Sequence, residues 1–291
     1  MTWSIEKAEL IGEVYDRHLA AWGSSYATLE DLEREWSDGH YVWTTHERLE
    51  PLVNAFERLW LLSRMLRIDT LPLKGRDNSF VSRAEWLRIT HEIILVRLAG
   101  IRDLAALLVS VVLELGLPVY RVSIRALLRS NIIKSNVALV AALKRLAGAV
   151  PDLRNERNTL VHQGVRRAFG DYQLFDHISH MEALGNEVKV EPWTDESGHV
   201  RTFDLLIEQR RISAEFEAEF SASAMELREI VLELLAILVI EWRARFSVKA
   251  EDRANGAAEQ GRRPRRPPST RPCVSPTACP RAKSPPSFSS S

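Results

Sequence analysis

The chain has 291 residues, 45% of them hydrophobic, enough for one large core or two small ones. Lys and Arg total 39, matching 39 Asp and Glu, so no global charge points to nucleic acid or an anionic membrane. Both cysteines, Cys273 and Cys279, lie near the C-terminus, which excludes a disulfide framework or thiolate metal site elsewhere and fits a reducing cytosol.

The N-terminal segment lacks a basic stretch followed by an apolar core, so it does not read as a signal peptide. Apolar runs such as Leu104–Leu113 and Leu234–Ile240 are closed by charges, well short of the roughly 20 apolar residues a membrane span needs. The expectation is a soluble, cytoplasmic protein with no membrane association.

Residues 4–22 carry Ile5, Leu10, Val14 and Leu19 at helical spacing. Thr28 and Asp31 have the spacing of a helix start. A longer helix is predicted over Trp43–Arg67 from Leu49, Leu52, Val53, Phe56, Leu59 and Leu62. The polar segment LKGRDNS follows as a turn. Ser82-Arg-Ala-Glu85 has the capping-box spacing and opens a strongly apolar helix that runs to Gly116-Leu-Pro118. Ser123–Gly148 reads as one further helix, and Pro151 opens the next. Residues 186–204 change character. Val188 and Val190 alternate with charged residues, and Asp195-Glu-Ser-Gly198 is a turn signal, so a short hairpin or an extended loop fits. Leu205–Phe246 returns to helix, with Ser221 and Ser223 as candidate break points. From Lys249 onward there are nine basic and three acidic residues, rich in Pro, Arg and Ser. Such a segment cannot bury enough surface to offset its chain entropy and reads as a disordered basic tail.

The chemistry-bearing stretch is DLRNERNTLVHQG, residues 152–164. On a helix Asn158 and His162 stand about 40° apart and Arg157 about 140° from His162. One copy gives a guanidinium, an amide and an imidazole in one region, with no acid–base pair. Metal-free RNA cleavage needs a base for the ribose 2′-OH, an acid for the leaving 5′-oxygen and a cation for the phosphorane. Histidine serves either proton role near neutral pH, and Arg supplies a fixed bidentate charge. Two protomers at a two-fold axis would supply two of each.

Arg157-Asn158-Thr-Leu-Val-His162 resembles the R-x(4–6)-H motif of the HEPN superfamily. The resemblance implies an all-α fold. A HEPN-like antiparallel bundle would cover residues 82–248, with a hairpin-like insertion, an N-terminal helical region over 1–81 and the tail over 249–291. It implies a metal-independent endoribonuclease acting on RNA as a homodimer with no cofactor. Many members are toxins or defence proteins, some paired with an antitoxin protein. Arg157 would bind the scissile phosphate, His162 would carry protons and Asn158 would orient the site. Arg154 is a second candidate substrate ligand. The alternative is a non-catalytic RNA-binding, nucleotide-binding or dimerisation protein, and the plainest reading of the motif is the polar first turns of a helix. His177 and His180 sit three apart but lack a third ligand at useful spacing, so they read as a polar face. Asp103 with Arg102 or Arg97 reads as a structural ion pair.

Overall fold

The computed structural model describes residues 4–22, 38–68, 73–74, 80–149, 151–163, 172–186, 189–194 and 197–262. The helix start expected at Thr28 and most of the basic tail lie outside them. The protein is predominantly helical. In chain order come α1 (Glu9–Trp22), α2 (Gly39–Met65), β1 (Leu73–Lys74), β2 (Phe80–Val81) and α3 (Arg83–Val112). A 3₁₀ turn (Val119–Arg121) leads into α4 (Ile124–Leu127), α5 (Asn131–Lys134) and α6 (Val137–Gly148). Then follow α7 (Pro151–Gln163), α8 (Tyr172–Ala183), β3 (Trp193–Thr194), β4 (Val200–Arg201) and α9 (Leu205–Arg262). Among the described residues no helix is long and apolar enough to cross a membrane.

The described residues divide into two units, one up to Phe246 and one from Ser247 onward. In the first unit α1 and α2 share a core with the later helices. Leu49, Phe56 and Leu59 of α2, Ile94, Leu98 and Ile101 of α3, and Phe220, Leu234 and Trp242 of α9 belong to one buried cluster. Their steps are threes, fours and sums of these, which puts each set on one helical face, and removing that face from water drives the packing. In the second unit the backbone of α9 is helical as far as Arg262, past the residue 249 at which the composition changes.

The start of α3 is fixed from two sides. Ser82 Oγ accepts from Glu85 N at 3.1 Å, the first half of the expected capping box. The Glu85 carboxylate pairs with Arg88 instead of reaching back. Ser179 Oγ on α8 accepts from Ala84 N at 2.9 Å, satisfying a second orphan N–H of the first turn. Arg83 is buried, and Glu182 and Gln209 accept from its guanidinium at 2.9 and 2.6 Å. Gln209 in turn donates to Ile68 O at 2.7 Å, which ties the end of α2 to the start of α3.

Two expectations are corrected and two gain detail. Ser123–Gly148 is three helices, because Ser123, Ser130 and Asn136 each hold an extended N-cap conformation. Two of these cap with their side chains: Ser123 Oγ accepts from Ala126 N and Asn136 Oδ1 from Leu139 N, so local polar bonds outcompete helix continuation. Apolar periodicity alone carried no sign of these stops. The first two residues of the LKGRDNS segment are a short strand, Leu73 pairing antiparallel with Val81 and Lys74 with Phe80. The later hairpin pairs Trp193 with Arg201 and Thr194 with Val200, further along than Val188 and Val190. Its turn places Gly198 at φ +79°, the left-handed region that glycine adopts without steric cost. Finally, α9 passes through Ser221 and Ser223 unbroken, with Ser223 Oγ bonded back to Glu219 O.

Candidate functional site

Helix α7 begins at Pro151, whose missing N–H costs nothing at the first helical position. The helix packs along α3. Glu156 and Leu160, four residues apart on one face, make the attachment. Leu160 is partly buried against the core, and Glu156 Oε1 lies 3.2 Å from Nε2 of the buried His91 on α3. Those two atoms are within ion-pair distance without forming an aligned hydrogen bond. The His91 ring also stands edge-on to Phe216 of α9, centroids 4.3 Å apart. A buried imidazole thus joins α3, α7 and α9 immediately before the motif begins.

This attachment leaves Arg157 and Asn158 lining an open cleft of about 680 Å³. Arg157 Nη1 donates to Asn158 Oδ1 at 3.0 Å. Arg157 Nε is buried and takes no hydrogen-bond partner among the described residues. The bond fixes the guanidinium and commits the Asn158 carbonyl, so the NH₂ of Asn158 is a donor suited to an anionic oxygen. Opposite them α3 contributes Ala99, Arg102 and Asp103, and the α4 segment contributes Ser123, Arg125 and Arg129. The apolar lining is Ile124 and Leu128 with Ala147 at the end of α6.

Four arginines therefore face one cleft with a single carboxylate among them. Like charges gathered in a concave, partly apolar wall focus the field and raise the local concentration of anions. Guanidinium groups, with planar forked donors and weak hydration, suit phosphate oxygens better than any other side chain.

Of the residues singled out from sequence, Arg157 and Asn158 come together. Arg154 and His162 have their backbone in α7, while their side chains lie outside the described residues. Asp103 lines the cleft beside Arg102. His177 and His180 are exposed on α8. Among the described residues no group of three or more His, Cys, Asp or Glu side chains gathers at metal-binding distance. Arg125 and Arg129 were missed. Their signal was present as an i, i+4 basic pair, but they sat inside what read as one long apolar helix. Comparison of the chain with protein-family models, curated proteins and solved structures gave no match.

Proposed function

We propose that this protein is a metal-independent endoribonuclease whose active site is built around Arg157, Asn158 and His162 and completed in a homodimer. The observation that carries the reading is the convergence of Arg157 and Asn158 with Arg102, Arg125 and Arg129 on one cleft. In this reading Arg157 holds the scissile phosphate and the other arginines hold its neighbours. The guanidinium is worth more in the transition state than in the ground state, because charge builds on the phosphorane oxygens it faces. His162 takes the 2′-OH proton, and the imidazole of the second protomer protonates the departing 5′-oxygen. The 2′-oxygen bonds to phosphorus as the P–O5′ bond breaks, leaving a 2′,3′-cyclic phosphate and a 5′-hydroxyl. A toxin or defence role with an antitoxin partner belongs to the same proposal.

A second reading is favoured by the cleft's formation within one chain: a non-catalytic RNA or nucleotide binder needs only this basic pocket. Purified protein incubated with RNA in EDTA, beside His162→Ala and Arg157→Ala, separates the two. Cleavage that leaves cyclic phosphate ends and disappears in both variants supports the nuclease. Binding without cleavage, lost in Arg157→Ala and retained in His162→Ala, supports the binder.

A further inference from the structure

Among the described residues the cleft is lined by arginines and by no aromatic side chain. The apolar part of that lining is aliphatic, so these residues offer no ring on which a nucleobase can stack. The rim differs. The 3₁₀ turn Val119–Arg121 enters the cleft wall directly at Ser123. It is closed by bonds from Arg121 N to Pro118 O at 2.8 Å and Val122 N to Val119 O at 3.2 Å. Leu117 and Val122, on either side, pack against the core. Between these anchors Tyr120 is 81% exposed. The guanidinium carbon of Arg121 stands 5.6 Å from its ring centroid. An anchored loop thus holds one aromatic ring out in solvent, with an arginine beside it. Ser123 of the cleft wall is three positions further along the chain than Tyr120, a reach of at most about 11 Å.

We infer that Tyr120 is a base-stacking position and that the cleft takes single-stranded RNA, phosphates on the arginines and one base on the Tyr120 ring. This rests on the reading of the cleft as an RNA site, and it names the substrate class and a residue that positions it. An arginine-lined groove beside an exposed ring is the combination that binds single strands with little sequence preference. Every base offers a π-face, and the backbone charge does not depend on sequence. A duplex keeps its bases stacked inside the helix and cannot use the ring.

The test is fluorescence anisotropy with labelled oligouridine and oligoadenosine of about 12 nucleotides, within the usual site size of such grooves, and a duplex of equal length. Wild type is compared with Tyr120→Ala, Tyr120→Phe and Arg125→Ala over a range of NaCl. Tyr120→Ala is expected to weaken single-strand binding about 5- to 100-fold without changing duplex binding or the salt slope, since no phosphate contact is lost. Tyr120→Phe retains the affinity. Arg125→Ala makes the slope of log K against log salt shallower by about 0.7. Unchanged single-strand affinity in Tyr120→Ala overturns the inference and leaves the ring as a protein-docking group. An equal loss for duplex and single strand also overturns it. Tyr120-dependent binding without cleavage in EDTA refutes the nuclease and leaves this inference standing. Cleavage with Tyr120-independent binding does the reverse. The exposure of Tyr120 keeps the variants folded, which thermal melting checks.

Discussion

His91→Ala is expected to loosen the motif helix more than any other part of the fold. His91 is 4% exposed, and its imidazole meets Glu156 on α7 at 3.2 Å and the edge of Phe216 at 4.3 Å. The aromatic contact is worth about 0.5–1.5 kcal/mol. The contact with Glu156 falls short of an aligned hydrogen bond and Glu156 is partly solvated, so it contributes less than a charged hydrogen bond, about 0.5–1 kcal/mol. With the void left by the ring, the total is about 2–4 kcal/mol. Urea denaturation of His91→Ala, Glu156→Ala and the double variant isolates the pair from the other contacts of each residue. The expected coupling is about 1 kcal/mol. Amide exchange supplies the local readout: amides of 155–161 lose protection relative to those of α2 in both single variants. Additivity within about 0.3 kcal/mol, or protection lost uniformly across both helices, refutes the view that this imidazole sets the position of Arg157 and Asn158.

Tyr41→Phe removes the donor to Val112 O at 3.0 Å, leaving a buried carbonyl at the end of α3 unpaired. It costs about 1–3 kcal/mol in chemical denaturation. The ring itself stays stacked on Trp242 at 5.1 Å, so Tyr41→Ala costs more. Asn136→Ala deletes the cap of α6 and the bond to Glu241, for about 1–2 kcal/mol seen in the same assay. His18 and His46 stack with centroids 3.7 Å apart. Burial holds both below their ordinary value of 6.5, helped for His18 by the neighbouring His46 and opposed in both by Glu50. The unfolded chain therefore binds protons first as pH falls, so stability is constant above about pH 6.5 and declines below it. Melting temperature followed from pH 7.5 down to about 5 measures this, and His46→Gln flattens the decline. A decline of unchanged steepness in His46→Gln assigns it to other groups.

The helical class was legible in the residues because period and core coincide. Leu49, Leu52, Phe56 and Leu59 repeat at the helical step and are all buried. Ser82 was recognisable as a cap because its partner is three residues away in the chain. Gly198 marked its turn because the backbone there needs a residue without Cβ. Those signals are local, and local bonding decided them. The splitting of 123–148 was harder to see, since Ser123, Ser130 and Asn136 are unremarkable on their own and the apolar pattern runs across them. The site divides in the same way. Arg157 and Asn158 are adjacent in the chain, and their spacing on a helix follows from the helix alone. Arg102 lies 55 positions before Arg157, and Arg125 and Arg129 lie on another element. Nothing in their own surroundings directs them to a common point. What brings them together is the packing of buried His91 and Phe216 and half-buried Leu160, which seats α7 against α3 and turns separate cations into one charged cleft. Chain-local chemistry chose the helices and presented one arginine with its amide. The packing of apolar faces from distant parts of the chain decided which other charges that arginine would meet.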